Sequence, residues 1–158
     1  MKPSNFRPAP ALCALGLIGT VCLSAPAAAH LGGDADSVAV DSTMMRAQLR
    51  STPMQSYQLH EITTASGTQV HEYATPQGTV FALTWQGPLP PNLRQLFGSY
   101  YARYQSAAAT QTRPGMHRAL IIAEPDLVVQ STGHLRAFHG RAYIPNLVPA
   151  GVTVADLP

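Results

Sequence analysis

Beyond residue 29 this 158-residue chain contains no cysteine and no lysine. Cys13, Cys22 and Lys2 all lie before that point. A cysteine-free segment forms no disulfide and offers no thiolate, which excludes a disulfide scaffold, cysteine metal ligands and a cysteine nucleophile. Charge is scarce too, at 11% of residues. Lys2 and Arg7 carry the formal net charge of +2; after them the arginines and the eight acidic residues balance. Without a basic excess there is no electrostatic basis for holding a phosphate backbone, so no nucleic-acid partner is expected. No apolar run reaches the roughly 20 residues that a membrane-spanning helix needs.

The first 29 residues have the order of a secretory signal peptide: Lys2 and Arg7, the apolar run Ala9–Leu23, then Ala27, Ala28 and Ala29 before His30. Cys13 follows Leu12 and Cys22 follows Val21, where a lipoprotein signal needs a small residue, so no lipid anchor is expected. The expected product is a single domain over residues 30–158, periplasmic or secreted, with no membrane span after cleavage. A chain of that size buries roughly two-thirds of its unfolded surface, enough for one core.

The segment 30–41 reads as an irregular lead-in, and Ser42 as the cap of a short helix TMMRAQLR that Pro53 stops. Tyr57–Thr64 and Thr68–Tyr73 are strands around Ala65-Ser66-Gly67. A three-residue loop with Gly67 last sets Ile62 opposite Val70, His60 opposite Glu72, Glu61 opposite His71 and Leu59 opposite Tyr73. A two-residue loop would oppose Glu61 and Glu72, and facing like charges destabilise a sheet. After the turn at Thr75–Gly78 comes the strand Thr79–Trp85, with Phe81, Leu83 and Trp85 alternating onto one face beside Leu59 and Tyr73.

Asn92 is an N-cap with Gln95 at the capping-box position. Leu93, Leu96, Phe97, Tyr100, Tyr101 and Tyr104 then make one apolar helical stripe, with Gly98 off it. Ser106–Pro114 reads as a polar linker. Arg118–Ala123 and Leu127–Gln130 are short strands, and Ser131-Thr132-Gly133 reads as a hairpin turn into a last strand that Pro145 ends. Strands, helix, strands suggest an α+β domain: an antiparallel sheet of about five strands, built of hairpins, with one amphipathic helix on a face.

The stretches VHEYATPQGTVFALTWQGPLPPNLRQLFGSYY (70–101) and VVQSTGHLRAFHGRAYIPNLVPAGV (128–152), with the lead-in HLGG, resemble the bacterial family called domain of unknown function 2844. The resemblance implies an exported single-domain protein. It brings no activity, cofactor or catalytic residue.

Candidate chemistry therefore rests on the residues. GHLRAFHGRAYIP (133–145) packs two histidines, two arginines and a tyrosine into one strand. Strand alternation puts His134, Arg136 and Phe138 on one face and His139, Arg141 and Tyr143 on the other, unless Gly140 bulges. Arg136, His139, Arg141 and Tyr143 are the candidate binding residues, for an anion or a glycan: arginine holds carboxylate or phosphate, and histidine moves a proton near neutrality. In the structural alternative the arginines pair with Glu124 or Asp126 at a half-buried sheet edge. That edge, in the last hairpin, would also be open to a partner's strand.

Metal candidates are His60, His71, Glu72 and His134, with His139 and Glu61 near them. No HxxxH or HExxH motif supports them, and the cross-strand pairs His60–Glu72 and Glu61–His71 already occupy two of the histidines, so neither metal nor other cofactor is expected. An N-terminal His30 would offer amine and ring to copper. No GxSxG marks a nucleophile, and Glu61 and Glu72 fall on opposite faces, which separates the two acids a glycosidase needs. The reading is a non-catalytic binding or assembly module of the cell envelope, with a protein or envelope partner. The alternative is a small hydrolase or metal-dependent enzyme acting on an envelope polymer.

Overall fold

The computed structural model describes residues 30–111 and 119–157. The signal-peptide pattern of residues 1–29 lies outside them. After His30 the chain runs through a 3₁₀ turn at Ala35–Ser37, capped by the Asp34 side chain, into α1 (Val38–Met44). Strands β1 (Gln48–Pro53), β2 (Gln58–Thr63), β3 (Gln69–Ala74) and β4 (Val80–Gly87) follow. Then come α2 (Leu93–Phe97), a 3₁₀ turn and α3 (Tyr101–Gln111). β5 (Leu120–Glu124), β6 (Leu127–His134) and β7 (Ala137–Tyr143) close the sheet. The fold is α+β, with one antiparallel sheet of seven strands rather than about five, in the order β1-β2-β3-β4-β7-β6-β5.

The first hairpin follows its sequence logic. All four expected β2–β3 pairs form, and Gly67 takes a φ of +83° in the loop. The short helix expected over TMMRAQLR (43–50) is different. The helix ends at Met44, and Gln48–Pro53 is an edge strand along β2. A sheet edge tolerates Pro53, whose missing N–H leaves no ladder partner unmet. The lead-in is ordered as well, with Leu31 and Val38 fully buried.

Phe81 does not share a face with Leu83 and Trp85. The register shifts between Tyr73 and Ala74, so that Tyr73 meets Ala82 while Ala74 meets Val80. The extra residue turns Phe81 to the side of Leu59 and Tyr73, where those three and Ala82 form a small core. Leu83 and Trp85 stay on the other side, the helix face, in the main core with Ile62, Val70, Phe97 and Val129.

The expected single helix is broken at Gly98, which has a φ of +50°. The His30 ring fills the break: a β-carbon on Gly98 would stand 2.2 Å from its Cδ2. Asn92 caps α2 as expected, accepting from the Gln95 N–H at 3.3 Å. α3 runs on to Gln111, so residues 106–111 are helix rather than linker. Residues 112–118 lie outside the described residues.

The last hairpin turns at Leu135-Arg136, four residues beyond the expected start at Ser131. Ser131, Thr132 and Gly133 continue β6 as strand. β7 is not an edge: β4 flanks it on one side and β6 on the other. The free edges are β1 and β5. On β5 the Gln111 amide bonds both the carbonyl and the N–H of Ile121, which blunts that edge.

Candidate functional site

The face opposite the helices is half covered. After β7 the chain folds back, and Leu147, Val148, Val152 and Leu157 pack on the small core around Tyr73 and Phe81. The other half is a groove of about 410 Å³ on β3, β4, β7 and β6, with Leu157 at its rim.

Two polar rows cross the floor of this groove in register. One runs Gln69, Gln86, His139, Thr132; the next runs His71, Thr84, Arg141, Gln130. The second row continues outward from His71 to Glu61 and Arg50 on β2 and β1. Alternation along each strand places these side chains on one face, and antiparallel pairing lines them up across it. Tyr143, one step along from Arg141, packs into the small core and forms the boundary of the groove.

His139 lies 2.7 Å from the Thr132 hydroxyl through Nε2. Arg141 donates from Nε to Gln130 Oε1 at 2.9 Å. Among the described residues nothing engages the two terminal guanidinium nitrogens of Arg141, which leaves a charged fork for a ligand oxygen. At the inner end Tyr73 contacts Thr84 at 3.2 Å and His71 at 3.5 Å. Burial pushes the Tyr73 hydroxyl up to about 12, against the opposing hydrogen bond from Thr84. It is a neutral donor or acceptor near neutral pH, not a base.

Of the expected binding residues, His139 and Arg141 share the groove and Tyr143 flanks it. Arg136 does not join them. It sits in the β6–β7 turn with a φ of +64°, so it belongs to neither strand face. Gly140 makes no bulge, because β7 keeps register on both sides through it. Neither arginine of this stretch pairs with Glu124 or Asp126. Both carboxylates engage Arg103 of α3, Asp126 through two bonds of 2.8 and 2.9 Å.

The metal candidates do not converge. His60 and Glu72 face the helices and are buried, whereas His71 lies on the groove face. His134 stands exposed at the end of β6. Among the described residues no three His, Cys, Asp or Glu side chains meet in metal-binding geometry. His30, the candidate copper ligand, has its ring against Gly98.

Tertiary pairing also builds a row that sequence reasoning missed. Ser51, His60 and Glu72 are aligned across β1, β2 and β3. Ser51 Oγ lies 2.7 Å from His60 Nδ1. The order serine, histidine, carboxylate suggests a nucleophile, yet among the described residues His60 Nε2 makes no hydrogen bond, so the carboxylate does not orient the ring as a catalytic triad requires. His60 therefore bonds Ser51 rather than its expected partner Glu72. The row escaped notice because Ser51 fell just beyond the segment expected to be helix.

No helix among the described residues is long and apolar enough to cross a membrane. No curated protein and no solved structure matches the chain. One family model matches residues 27–157, a span that contains all of the described residues, and the protein belongs to that family, described as protein of unknown function (DUF2844).

Proposed function

We propose that this chain is a non-catalytic binding module of the bacterial cell envelope, whose open sheet face takes an acidic glycan. The observation that carries the reading is the pair of in-register polar rows with the unengaged guanidinium fork of Arg141 among them. A carboxylate matches that fork, and ring hydroxyls match the amides of Gln69, Gln86 and Gln130 and the hydroxyl of Thr132. His139 adds a second donor. The envelope setting rests on the signal-peptide pattern of residues 1–29, and residues 30–158 are the exported domain.

The test is calorimetric titration of the purified protein with trigalacturonate, an acidic oligosaccharide, and with neutral maltotriose. The acidic sugar binds, the neutral one does not, and Arg141→Ala weakens binding about tenfold, as expected for a charge-assisted pair. Equal affinity for the two sugars, or an Arg141→Ala variant that binds as the parent does, refutes the reading.

A further inference from the structure

A cavity of about 610 Å³ lies on the opposite side of the sheet, between α2, α3 and the ends of β4, β6 and β7. Its size falls within the range of small-molecule sites. Aromatic side chains wall it: Trp85 from β4, Tyr101 and Tyr104 from α3, and Phe138 from β7. Trp85 is held by Phe97, whose ring it meets edge-on with centroids 5.8 Å apart, and Phe97 in turn meets Tyr104 at 5.0 Å. Tyr101 stacks on Tyr104 at 6.1 Å. Trp85, Tyr101 and Tyr104 are thereby fixed by their neighbours, and that part of the wall is preformed.

Its polarity is lopsided. Among the described lining residues Arg94 alone is charged, and no acid is present. The Arg94 guanidinium lies over the Tyr101 ring, 5.0 Å from its centroid, and meets no carboxylate among the described residues. Among the described residues this is an aromatic box lined by one cation that meets no carboxylate, and it fits a flat apolar body carrying a single negative group. A cationic ligand would meet Arg94 as a like charge, and a polyanion would find apolar walls where it needs donors.

We propose that this cavity binds a small aryl carboxylate, with the ring seated among Trp85, Tyr101, Tyr104 and Phe138 and the carboxylate on Arg94. The site lies across the sheet from the groove on the open face, shares only Trp85 and Thr132 with its lining among the described residues, and stands without it.

The chain has a single tryptophan, so its indole N–H gives one cross-peak in a proton–nitrogen correlation spectrum, and Trp85 walls this cavity. The experiment titrates the purified protein with 2-naphthoate and, separately, with 2-naphthylmethanol, its uncharged counterpart. Naphthoate shifts the indole peak saturably with one site per chain. The alcohol binds about tenfold more weakly, and Arg94→Gln reduces naphthoate affinity by a similar factor. Ala108→Leu, which fills the cavity from a helical position suited to leucine, abolishes the shift while the rest of the spectrum stays dispersed. Arg141→Ala leaves the titration unchanged, which separates this site from the glycan groove. No saturable shift, equal affinity for acid and alcohol, or indifference to both Arg94→Gln and Ala108→Leu overturns the proposal.

Discussion

The indole of Trp85 lies flat against Gly140, its cross-strand partner on β7, so closely that a β-carbon there would stand 2.3 Å from Cζ2. Gly133 and Phe138 repeat the arrangement between β6 and β7: a β-carbon on Gly133 would stand 2.4 Å from Phe138 Cδ1. Both glycines are needed for space. Each leaves a bare patch of strand on which an aromatic ring rests, and both rings wall the same cavity.

Gly140→Ala is therefore expected to cost about 1–3 kcal/mol, because Trp85 is only 3% exposed and has no room to retreat. Gly133→Ala should cost less, since the half-buried Phe138 ring can swing toward solvent. Urea unfolding of the two variants measures the difference. Equal losses would show that Phe138 is as firmly held as Trp85.

His60 gives a pH dependence with a definite sign. Burial lowers its pKa below the ordinary 6.5, so the folded protein takes up this proton less readily than the unfolded chain. The contribution to stability is whole above pH 6.5 and is lost as the pH falls from there through the folded value. His60→Gln does not titrate and can still bond Ser51, so it should flatten this part of the curve. Urea midpoints of parent and variant at pH 7.5 and pH 5 decide it; identical pH dependence would remove His60 as the cause.

Arg103 ties α3 to the β5–β6 turn through Glu124 and Asp126. Its hydrogen bonds hold the Asp126 carboxyl below its ordinary range. Arg103→Ala should raise the Asp126 titration midpoint, followed by carbon-13 NMR of the carboxyl, toward that of a free aspartate. Added salt should shift the parent in the same direction, because the pair is exposed and screened. A midpoint indifferent to Arg103 would show that the pair does not persist in solution.

Local chemistry was enough for much of the fold. Repulsion between Glu61 and Glu72 and the left-handed preference of Gly67 determined the β2–β3 register. Asn92 and Gln95 marked the start of α2, and the 3.6-residue spacing of Leu93 to Tyr104 marked the face that packs on the sheet. These signals act within a dozen residues, so a single chain displays them. The hairpin at Leu135-Arg136 was misplaced because Ser-Thr-Gly satisfies turn chemistry equally well locally, and the actual turn puts a non-glycine residue, Arg136, at positive φ. Only pairing with β4 and β5 determines which of the two turns forms.

The candidate sites were legible in composition but not in arrangement. His139 and Arg141 stood out by residue type, and alternation correctly put them on one face. Which residues join them depends on β7 lying beside β4, more than fifty positions away, which brings Gln86 and Thr84 into their rows. The same pairing brought Trp85 onto Gly140 and so shaped the aromatic cavity. The bulge that sent Phe81 away from Leu83 is likewise a product of one strand accommodating its neighbour. The amino-acid sequence by itself determined the elements, the first hairpin and the residue types available for recognition, because short-range sterics and hydrogen bonding act along the chain. The tertiary structure decided the faces, the rows and the cavity, because these depend on contacts between strands that no local preference encodes.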